Sequence, residues 1–270
     1  MRRWWLGLTL LLASCDYEVQ QPMQLSFAPA AGRAVDAFSK LNVQLFTADG
    51  SKVFSKVKTQ NAGDSGFGSL SLDLADGTYT VVAVGHSSVN SATIKSPELV
   101  QFTASNGTKV SDTFCACQQI EVAAGTSYSL TMERVTAMFR LTMEDEPIPD
   151  GVTKLVFDYT GGSANFNPTT SEGCTKSTQS ETRMFAGLGS YDVFTFPYMS
   201  DSCRIKMTVS AVDAAGQTVH KRTFSSVPMV RNRITEYRGR FFSDDADPWA
   251  VVTMTFTVDA DWSGHDMIRF

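Results

Sequence analysis

Short stretches in which apolar and polar residues alternate recur along most of the chain. Residues 41–46 and 69–74 are two examples, and residues 78–84 form a run rich in β-branched and aromatic side chains. Alternation with a period of two places successive side chains on opposite faces of a strand, so that one face can be buried. Turn residues such as Asp76 and Gly77 separate these stretches and favour hairpins. The pattern predicts an antiparallel β-sandwich in the first half of the chain.

The second half continues the pattern on both sides of an acidic, proline-containing loop at residues 144–150. Its predicted strands are residues 135–143, 153–159, 190–197, 203–211, 220–224, 234–242 and 251–258. Residues 161–181 are rich in glycine, serine, threonine and asparagine, so we interpret them as a long surface excursion. Regularly spaced short strands predict an all-β protein with two Greek-key β-sandwich domains in tandem, at residues 34–133 and 134–270.

The N-terminus carries a predicted signal peptide over residues 1–14. Arg2 and Arg3 precede an apolar run at residues 4–13, which is shorter than the roughly 20 residues that a membrane-spanning helix needs. The run closes with Leu-Ala-Ser-Cys, which resembles the bacterial lipobox, where the cysteine is acylated and becomes the first residue after cleavage. The resemblance implies a lipid such as palmitate on Cys15. An ordinary signal peptide followed by a chance cysteine is the alternative.

The rest of the mature chain is expected to be water-soluble, because no later stretch reaches the about 18 apolar residues needed to cross a membrane. Residues 15–33 are predicted to form an N-terminal segment that carries the lipid and a first strand. That strand is the short alternating stretch at residues 23–28.

Charge and histidine content narrow the possible functions. The formal net charge is −5, which argues against nucleic acid as a partner because such binding needs a basic surface. The chain has three histidines, and none lies in a recognisable catalytic or zinc-binding motif. The acidic loop at residues 244–247 lacks the spacing and the central glycine of a calcium-binding loop. We therefore predict no enzymatic activity, no cofactor and no metal site.

Five cysteines are present, of which four remain once Cys15 is assigned to lipid. An oxidising environment outside the cell would allow them to form disulfides. Cys174 and Cys203 would close a loop of useful length, whereas Cys115 and Cys117 are separated by a single residue, an awkward spacing for a mutual bond. We predict a disulfide between Cys174 and Cys203. A zinc site built from the four is the alternative, but the usual C-x2-C pairs are missing.

Three groups of residues carry a resemblance to a known family. The first is Leu-Ser-Phe at residues 25–27 with Gly-Arg-Ala-Val at residues 32–35, and the second is the turn that leads into residues 78–84. The third and most specific is residues 227–235 followed by residues 237–242. Together they resemble the fimbrillin family of Bacteroidetes, which comprises the lipoprotein subunits of type V fimbriae. The resemblance implies two transthyretin-like β-sandwiches and a role as a stalk, tip or anchor protein.

The resemblance also implies a mode of assembly. In this family an arginine-specific protease removes an N-terminal strand, and a strand from another subunit fills the vacated groove. Cleavage between Arg33 and Ala34 would detach residues 23–28 and release the chain from its lipid. The expected donor strand is the C-terminus, at residues 253–258 or 262–270. Alternatively, Arg33 is a plain surface residue in a linker, and an anchor subunit would keep its first strand.

Implied partners are other fimbrial subunits, in a homo- or heteropolymer, and the outer membrane, which the N-terminal lipid would reach at the cell surface. A host protein or a glycan is a further candidate. The second hypothesis is a glycan-binding surface lipoprotein of a nutrient-uptake system, which would need aromatic side chains exposed together on one face. Its candidates are Trp249, Trp262, Tyr79, Tyr128, Tyr191 and Tyr237. An apolar groove beside the first strand would favour the fimbrial hypothesis instead.

Overall fold

The computed structural model describes residues 22–29, 37–89, 91–102, 110–198, 203–243 and 262–270, and in these residues the chain is built from β-strands. The predicted all-β class is confirmed. In chain order the strands are β1 (Met23–Pro29), β2 (Lys40–Thr47), β3 (Lys58–Asn61), β4 (Ser69–Leu72), β5 (Gly77–His86), β6 (Thr93–Ser96), β7 (Leu99–Gln101), β8 (Thr113–Val122), β9 (Ser127–Arg134), β10 (Ala137–Met143), β11 (Val152–Gly162), β12 (Asn165–Asn167), β13 (Glu172–Gly173), β14 (Ser177–Met184), β15 (Ser190–Thr195), β16 (Arg204–Asp213), β17 (Thr218–Pro228), β18 (Arg233–Gly239) and β19 (Gly264–Arg269).

The N-terminal half, which ends with β9, is organised around a sheet with the strand order β3-β2-β5-β8-β9-β1-β4. β8 pairs with β5 over ten residues but with β9 only at the pairs Phe114–Arg134 and Cys115–Glu133. The sheet therefore divides at this junction into two parts. Alternate side chains from both parts, such as Leu25 and Val81, fill one apolar core.

The C-terminal half packs two four-stranded sheets, β15-β10-β18-β19 and β14-β11-β16-β17. Their inward side chains, among them Phe139, Phe157 and Val209, are fully buried in a second core. Each half begins with a strand that runs parallel to a later strand of the same half, β1 with β9 and β10 with β18. This arrangement agrees with two sandwich units, although the transthyretin-like topology and the boundary at residue 134 stay predictions.

A small sheet joins the two halves. β6 and β7 belong to the N-terminal half and β12 and β13 to the C-terminal half, and together they have the order β13-β12-β7-β6. A third apolar core lies here, where fully buried Phe166 and Phe196 pack with Val82 and Val100. The interpretation of residues 161–181 as a surface excursion is therefore wrong, because this segment supplies strands and a buried phenylalanine to the junction.

The predicted disulfide between Cys174 and Cys203 is not formed, since both residues are free thiols, as are Cys115 and Cys117. Cys174 Sγ lies 3.8 Å from the carbonyl oxygen of Glu98, and Cys203 Sγ lies 3.8 Å from that of Gly161. The two thiols thus contact different carbonyl groups instead of each other. Burial raises the pKa of both.

A buried histidine makes the N-terminal half sensitive to acid. His86 Nε2 lies 2.8 Å from Asn42 Oδ1, and the backbone NH of Ser88 donates to Nδ1 at 3.2 Å. Burial, with a contribution from the charge of Lys40, lowers the pKa of His86 from 6.5 to about 4. The unfolded chain therefore binds a proton at a higher pH than the folded chain does.

We expect stability to fall as the pH drops from about 6.5 to about 4, by about 3 kcal/mol from His86 alone. Urea unfolding of the wild type and of His86→Gln over this pH range checks the prediction. Glutamine retains an NH donor for Asn42 but does not titrate, so its curve should lack this loss. Parallel curves for the two proteins would contradict the prediction.

Candidate functional site

β1 occupies a groove between β9 and β4. It runs parallel to β9 over six residue pairs and antiparallel to β4 over four. Met23, Leu25 and Phe27 point into the N-terminal core and are at most 2 % exposed, whereas the residues between them face solvent. The alternation seen in the sequence therefore matches one buried and one exposed face. β1 contributes both apolar side chains and backbone hydrogen bonds to the fold.

The two neighbours of β1 depend on it. β4 ends the sheet, so β1 is its strand neighbour there, and β9 has only two residue pairs with β8 on its other side. Two further backbone hydrogen bonds, outside the strand ladders, hold β1 in the groove. Phe27 N donates to Gly68 O at 2.8 Å, and Gln24 N donates to Thr126 O at 3.1 Å. Removing β1 would open a groove with an apolar floor and two unpaired strand edges.

The predicted lipidation and processing residues, Cys15, Arg33 and Ala34, lie outside the described residues, as do residues 244–250. The structure nevertheless places the strand that such processing would release. β1 ends at Pro29, and the next described residue is Ala37. The Arg33–Ala34 bond therefore falls in the connection between β1 and β2.

The start of β1 lies at the end of the N-terminal half that is remote from the C-terminal half. β1 is parallel to β9, whose last residue, Arg134, leads directly towards β10. Met23 pairs with Leu72, and Gln24 with Ser127 at the beginning of β9. We call this end of the molecule the basal pole.

The C-terminal strand, predicted as the donor, is β19, and it pairs with its own C-terminal half. It lies parallel to β18 at the edge of the sheet β15-β10-β18-β19. The other donor candidate, residues 253–258, lies outside the described residues. Phe270, which follows β19, packs against Phe224 with ring centroids 5.0 Å apart. The C-terminal strand is therefore paired and packed within its own chain.

Three side-chain contacts between charged or titratable groups lie along β19. Arg233 Nη2 lies 2.8 Å from Asp266 Oδ1, His265 Nε2 lies 2.5 Å from Glu236 Oε2, and Arg269 Nη1 lies 3.2 Å from Glu144 Oε2. The Glu236–His265 pair is the most buried of the three, because the side chain of Glu236 is 1 % exposed. The partly exposed Arg269–Glu144 pair is worth little by comparison.

Opposing influences act on the pKa of the buried Glu236 carboxyl group. Burial by itself raises the pKa of the carboxyl group, but hydrogen bonds from Thr142 and Arg238 and the charges of Arg238 and His265 lower it. The net effect holds the pKa of Glu236 below its usual value. Glu236 therefore presents a carboxyl group to His265 across the β18–β19 pair.

Arg134 joins the two halves at the start of β19. Its guanidinium forms two hydrogen bonds to the carboxylate of Asp112, at 2.7 and 2.8 Å, and one to Asn232 at 3.0 Å. It also lies 3.7 Å from the ring centroid of Trp262 and 4.8 Å from that of Phe114. Arginine between aromatic rings and a bidentate carboxylate is strongly oriented. This residue therefore ties the end of β9 to the segments that lead into β18 and β19.

Comparison with known protein families identifies the chain. The model of the fimbrillin-A associated anchor proteins Mfa1 and Mfa2 matches residues 14–265. The chain belongs to this family. The groove filled by β1 and the C-terminal strand seated on β18 are thus features of a fimbrial subunit or anchor protein.

Solved structures agree on the fold of this family member. A candidate adhesin from Bacteroides ovatus has a TM-score of 0.51 and 16 % identity, with 75 % of this chain and 77 % of that chain covered. A candidate polysaccharide-binding protein from Bacteroides thetaiotaomicron has a TM-score of 0.52 and 11 % identity, with coverage of 74 % and 79 %. At these identities the likeness concerns the fold alone. A comparison with curated proteins finds no match.

The aromatic residues predicted for a glycan platform do not form one in the described part of this fimbrial protein. Trp262 is 7 % exposed and lies against Arg134, and Tyr191 is 8 % exposed. Tyr79, Tyr128 and Tyr237 pack against the two main cores. Large hydrophobic residues that are exposed among the described residues are aliphatic or methionine. This distribution favours the fimbrial hypothesis over the glycan-binding one.

Two features of the described residues bear on other site types. Among them, no group of three or more histidine, cysteine, aspartate or glutamate side chains is placed to hold a metal ion. No helix in the same residues has the length and apolar character to cross a bilayer.

Sequence reasoning missed the residues that hold β19. Glu236 and His265 are 29 positions apart, and local periodicity does not pair such distant residues. The sequence indicated a role for Arg134 only in part, because it places this residue at the boundary between the two predicted domains. Its contact with Trp262 depends on the parallel pairing of β19 with β18, which no short motif encodes.

Proposed function

We propose that this protein is a lipid-anchored fimbrial subunit of the outer membrane that joins other subunits by β-strand addition. The observation that carries the proposal is β1 itself. It is a short strand whose buried side chains alternate, it fills a groove between β9 and β4, and an arginine follows it in the connection to β2. Such a strand can be exchanged for another extended segment of the same pattern.

The lipid fits the position of the N-terminus. Cys15 precedes Pro22 by the six residues 16–21, which reach about 20 Å when extended. β1 begins at the basal pole, so a lipid on Cys15 would place this pole towards the membrane and the C-terminal half away from it. Acyl chains on one cysteine can hold a water-soluble domain at a bilayer.

The free energy that would drive strand exchange comes from filling the groove between β9 and β4. Burying an apolar side chain of this size contributes about 1.5–3 kcal/mol, and β1 buries Met23, Leu25 and Phe27. A donor strand must restore these three contacts and pair both strand edges. Residues 253–258 alternate threonine with Met254, Phe256 and Val258, which is the pattern that the groove requires. If the chain is the anchor, β1 stays in place and the lipid is kept.

Limited digestion with an arginine-specific protease tests the proposal on residues 16–270, the mature chain without its lipidated Cys15. Cleavage after Arg33 followed by higher oligomers in size-exclusion chromatography is the result expected of a polymerising subunit. Arg33→Lys is the matched control, since it removes this cleavage site and retains the charge. A wild-type product that is cut after Arg33 and stays a folded monomer would overturn strand exchange.

A further inference from the structure

The sheet β14-β11-β16-β17 has one face against the second core and one face towards solvent. Phe157, Tyr159 and Val209 point into the core. Side chains alternate along a strand, so the residues between them point away from the core. Most of these outward residues are exposed or partly exposed. We call this surface the outer face.

The strand register places the outward residues in continuous rows. Asp158 on β11 pairs with Ser180 on β14 and with Thr208 on β16, and Thr208 pairs in turn with Thr223 on β17. Side chains that are paired across neighbouring strands lie on the same side, with their Cβ atoms about 5 Å apart. The outer face is therefore one surface that extends across all four strands.

The outer face is basic, although the formal net charge of the chain is −5. Asp158 is its acidic residue, and its basic residues are Lys154, Arg204, Lys206 and Lys221. Within the described residues, none of the three lysines takes part in an ion pair. Positive charge gathered on one face favours an anionic partner.

The lysines are distributed over the rows. Lys206 pairs with Thr160, and Lys221 pairs with Ser210. These two rows lie on either side of the row that contains Asp158. A ligand that lies along the strands would therefore meet a cation on each side of the central row.

Hydroxyl groups line most of the outer face around the cations. They include those of Thr160, Thr178, Ser180, Thr208, Thr223 and Ser225. A hydroxyl group can both donate and accept a hydrogen bond, and the hydroxyls of Thr208 and Thr223 lie 3.0 Å apart. Interfaces between proteins are enriched in aromatic residues and depleted of lysine and serine. The composition of this face therefore fits a hydroxylated ligand better than a protein surface.

We propose that the outer face binds a linear polysaccharide that carries carboxylate or sulfate groups. The lysines would contact the acidic groups, and the serine and threonine hydroxyls would exchange hydrogen bonds with those of the sugars. Strands are about 4.8 Å apart, so four of them span about 15 Å. A flat surface of this width accepts an extended oligosaccharide without a closed pocket.

This inference goes beyond the proposed function, because the outer face contains neither β1 nor β19. Binding through charge and hydroxyl groups also needs no platform of exposed aromatic residues. The two proposals fail separately: loss of polysaccharide binding concerns the outer face, and loss of protease-dependent assembly concerns β1.

Fluorescence anisotropy of a labelled oligogalacturonate, titrated with the uncut chain of residues 16–270, tests the proposal. This probe carries one carboxylate on each sugar. We expect saturable binding that weakens as the salt concentration rises, because salt screens exposed charges. Dextran, a neutral polysaccharide, should not compete. Poly-glutamate of equal charge should compete at least about fivefold more weakly, because it lacks the hydroxyl groups.

Substitutions on the outer face should change the affinity in both directions. Lys154→Gln/Lys206→Gln/Lys221→Gln should raise the dissociation constant by at least about tenfold. Asp158→Asn removes the acidic group and should lower the dissociation constant about two- to fivefold. A folding defect does not produce such a gain, and thermal melting verifies that both variants are folded.

The matched control removes the same charge elsewhere. Lys52→Gln/Lys56→Gln/Lys95→Gln changes three exposed lysines of the N-terminal half, and we expect the dissociation constant to change by less than about twofold. Absence of binding by the wild type, or an equal loss in the control, would overturn the proposal. Equal competition by poly-glutamate, or no gain for Asp158→Asn, would do so as well.

Discussion

Replacing Phe166 by alanine is expected to lower the free energy of unfolding by about 3–5 kcal/mol, the cost of removing a large aromatic side chain from a closed core. Phe166 is fully buried, and its ring centroid lies 4.6 Å from that of Phe196. It packs in the core shared by the two halves, and β12 pairs there with β7. Urea or guanidinium unfolding followed by circular dichroism measures the change.

Asn165→Ala is the matched control for Phe166→Ala. It lies next to Phe166 on β12 but is only partly buried, so we expect a loss of less than about 1 kcal/mol. If the shared core couples the halves, the wild type should unfold in one transition and Phe166→Ala should shift it as a whole. A loss confined to one half, with the other unchanged, would show that the junction does not couple them.

Local alternation was sufficient to predict most of the long strands. Residues 41–46 lie in β2, residues 78–84 in β5 and residues 153–159 in β11. In β11 the alternation in the sequence matches the burial of one face, whereas β2 and the second half of β5 are buried on both faces. In β1, too, the buried residues Met23, Leu25 and Phe27 alternate with small or polar residues in the sequence.

Pairing across the chain could not be predicted in the same way. β12 and β13 contain three and two residues, too few for a period to be recognised. Their segment has the composition of a loop, and its partner β7 lies 66 positions earlier, counted from Val100 to Phe166. The available sequence signal for burial of this segment was Phe166, the one large apolar residue in a polar stretch.

The predicted disulfide between Cys174 and Cys203 failed for a similar reason, because the local sequence does not show which residues meet across the chain. Loop length made Cys174 and Cys203 a reasonable pair, but a disulfide depends on the direction of two side chains. Cys174 follows the short strand β13, and its thiol contacts Glu98 of the N-terminal half. The junction between the halves therefore decides the surroundings of this cysteine, and no local pattern of residues indicates that junction.

Deleting β1 is expected to have the largest effect on the N-terminal half. A chain that begins at Ala34 lacks Met23, Leu25 and Phe27, whose burial contributes on the order of 5–9 kcal/mol in total. This is comparable with the whole stability of a typical domain. We expect the truncated chain to lose its cooperative thermal transition or to melt at a much lower temperature, as differential scanning calorimetry would show.

A synthetic peptide of residues 22–29 should restore the transition of the truncated chain, because the groove between β9 and β4 accepts the same strand in trans. The control peptide carries Leu25→Asp, which would place an unpaired carboxylate at a position that is 0 % exposed in the intact chain. It should have no effect. Rescue by both peptides, or a truncated chain as stable as the intact one, would mean that β1 is not the element that completes the groove. Rescue by the native peptide alone would show that an apolar side chain at the buried position, and not peptide length, selects the strand that fills it.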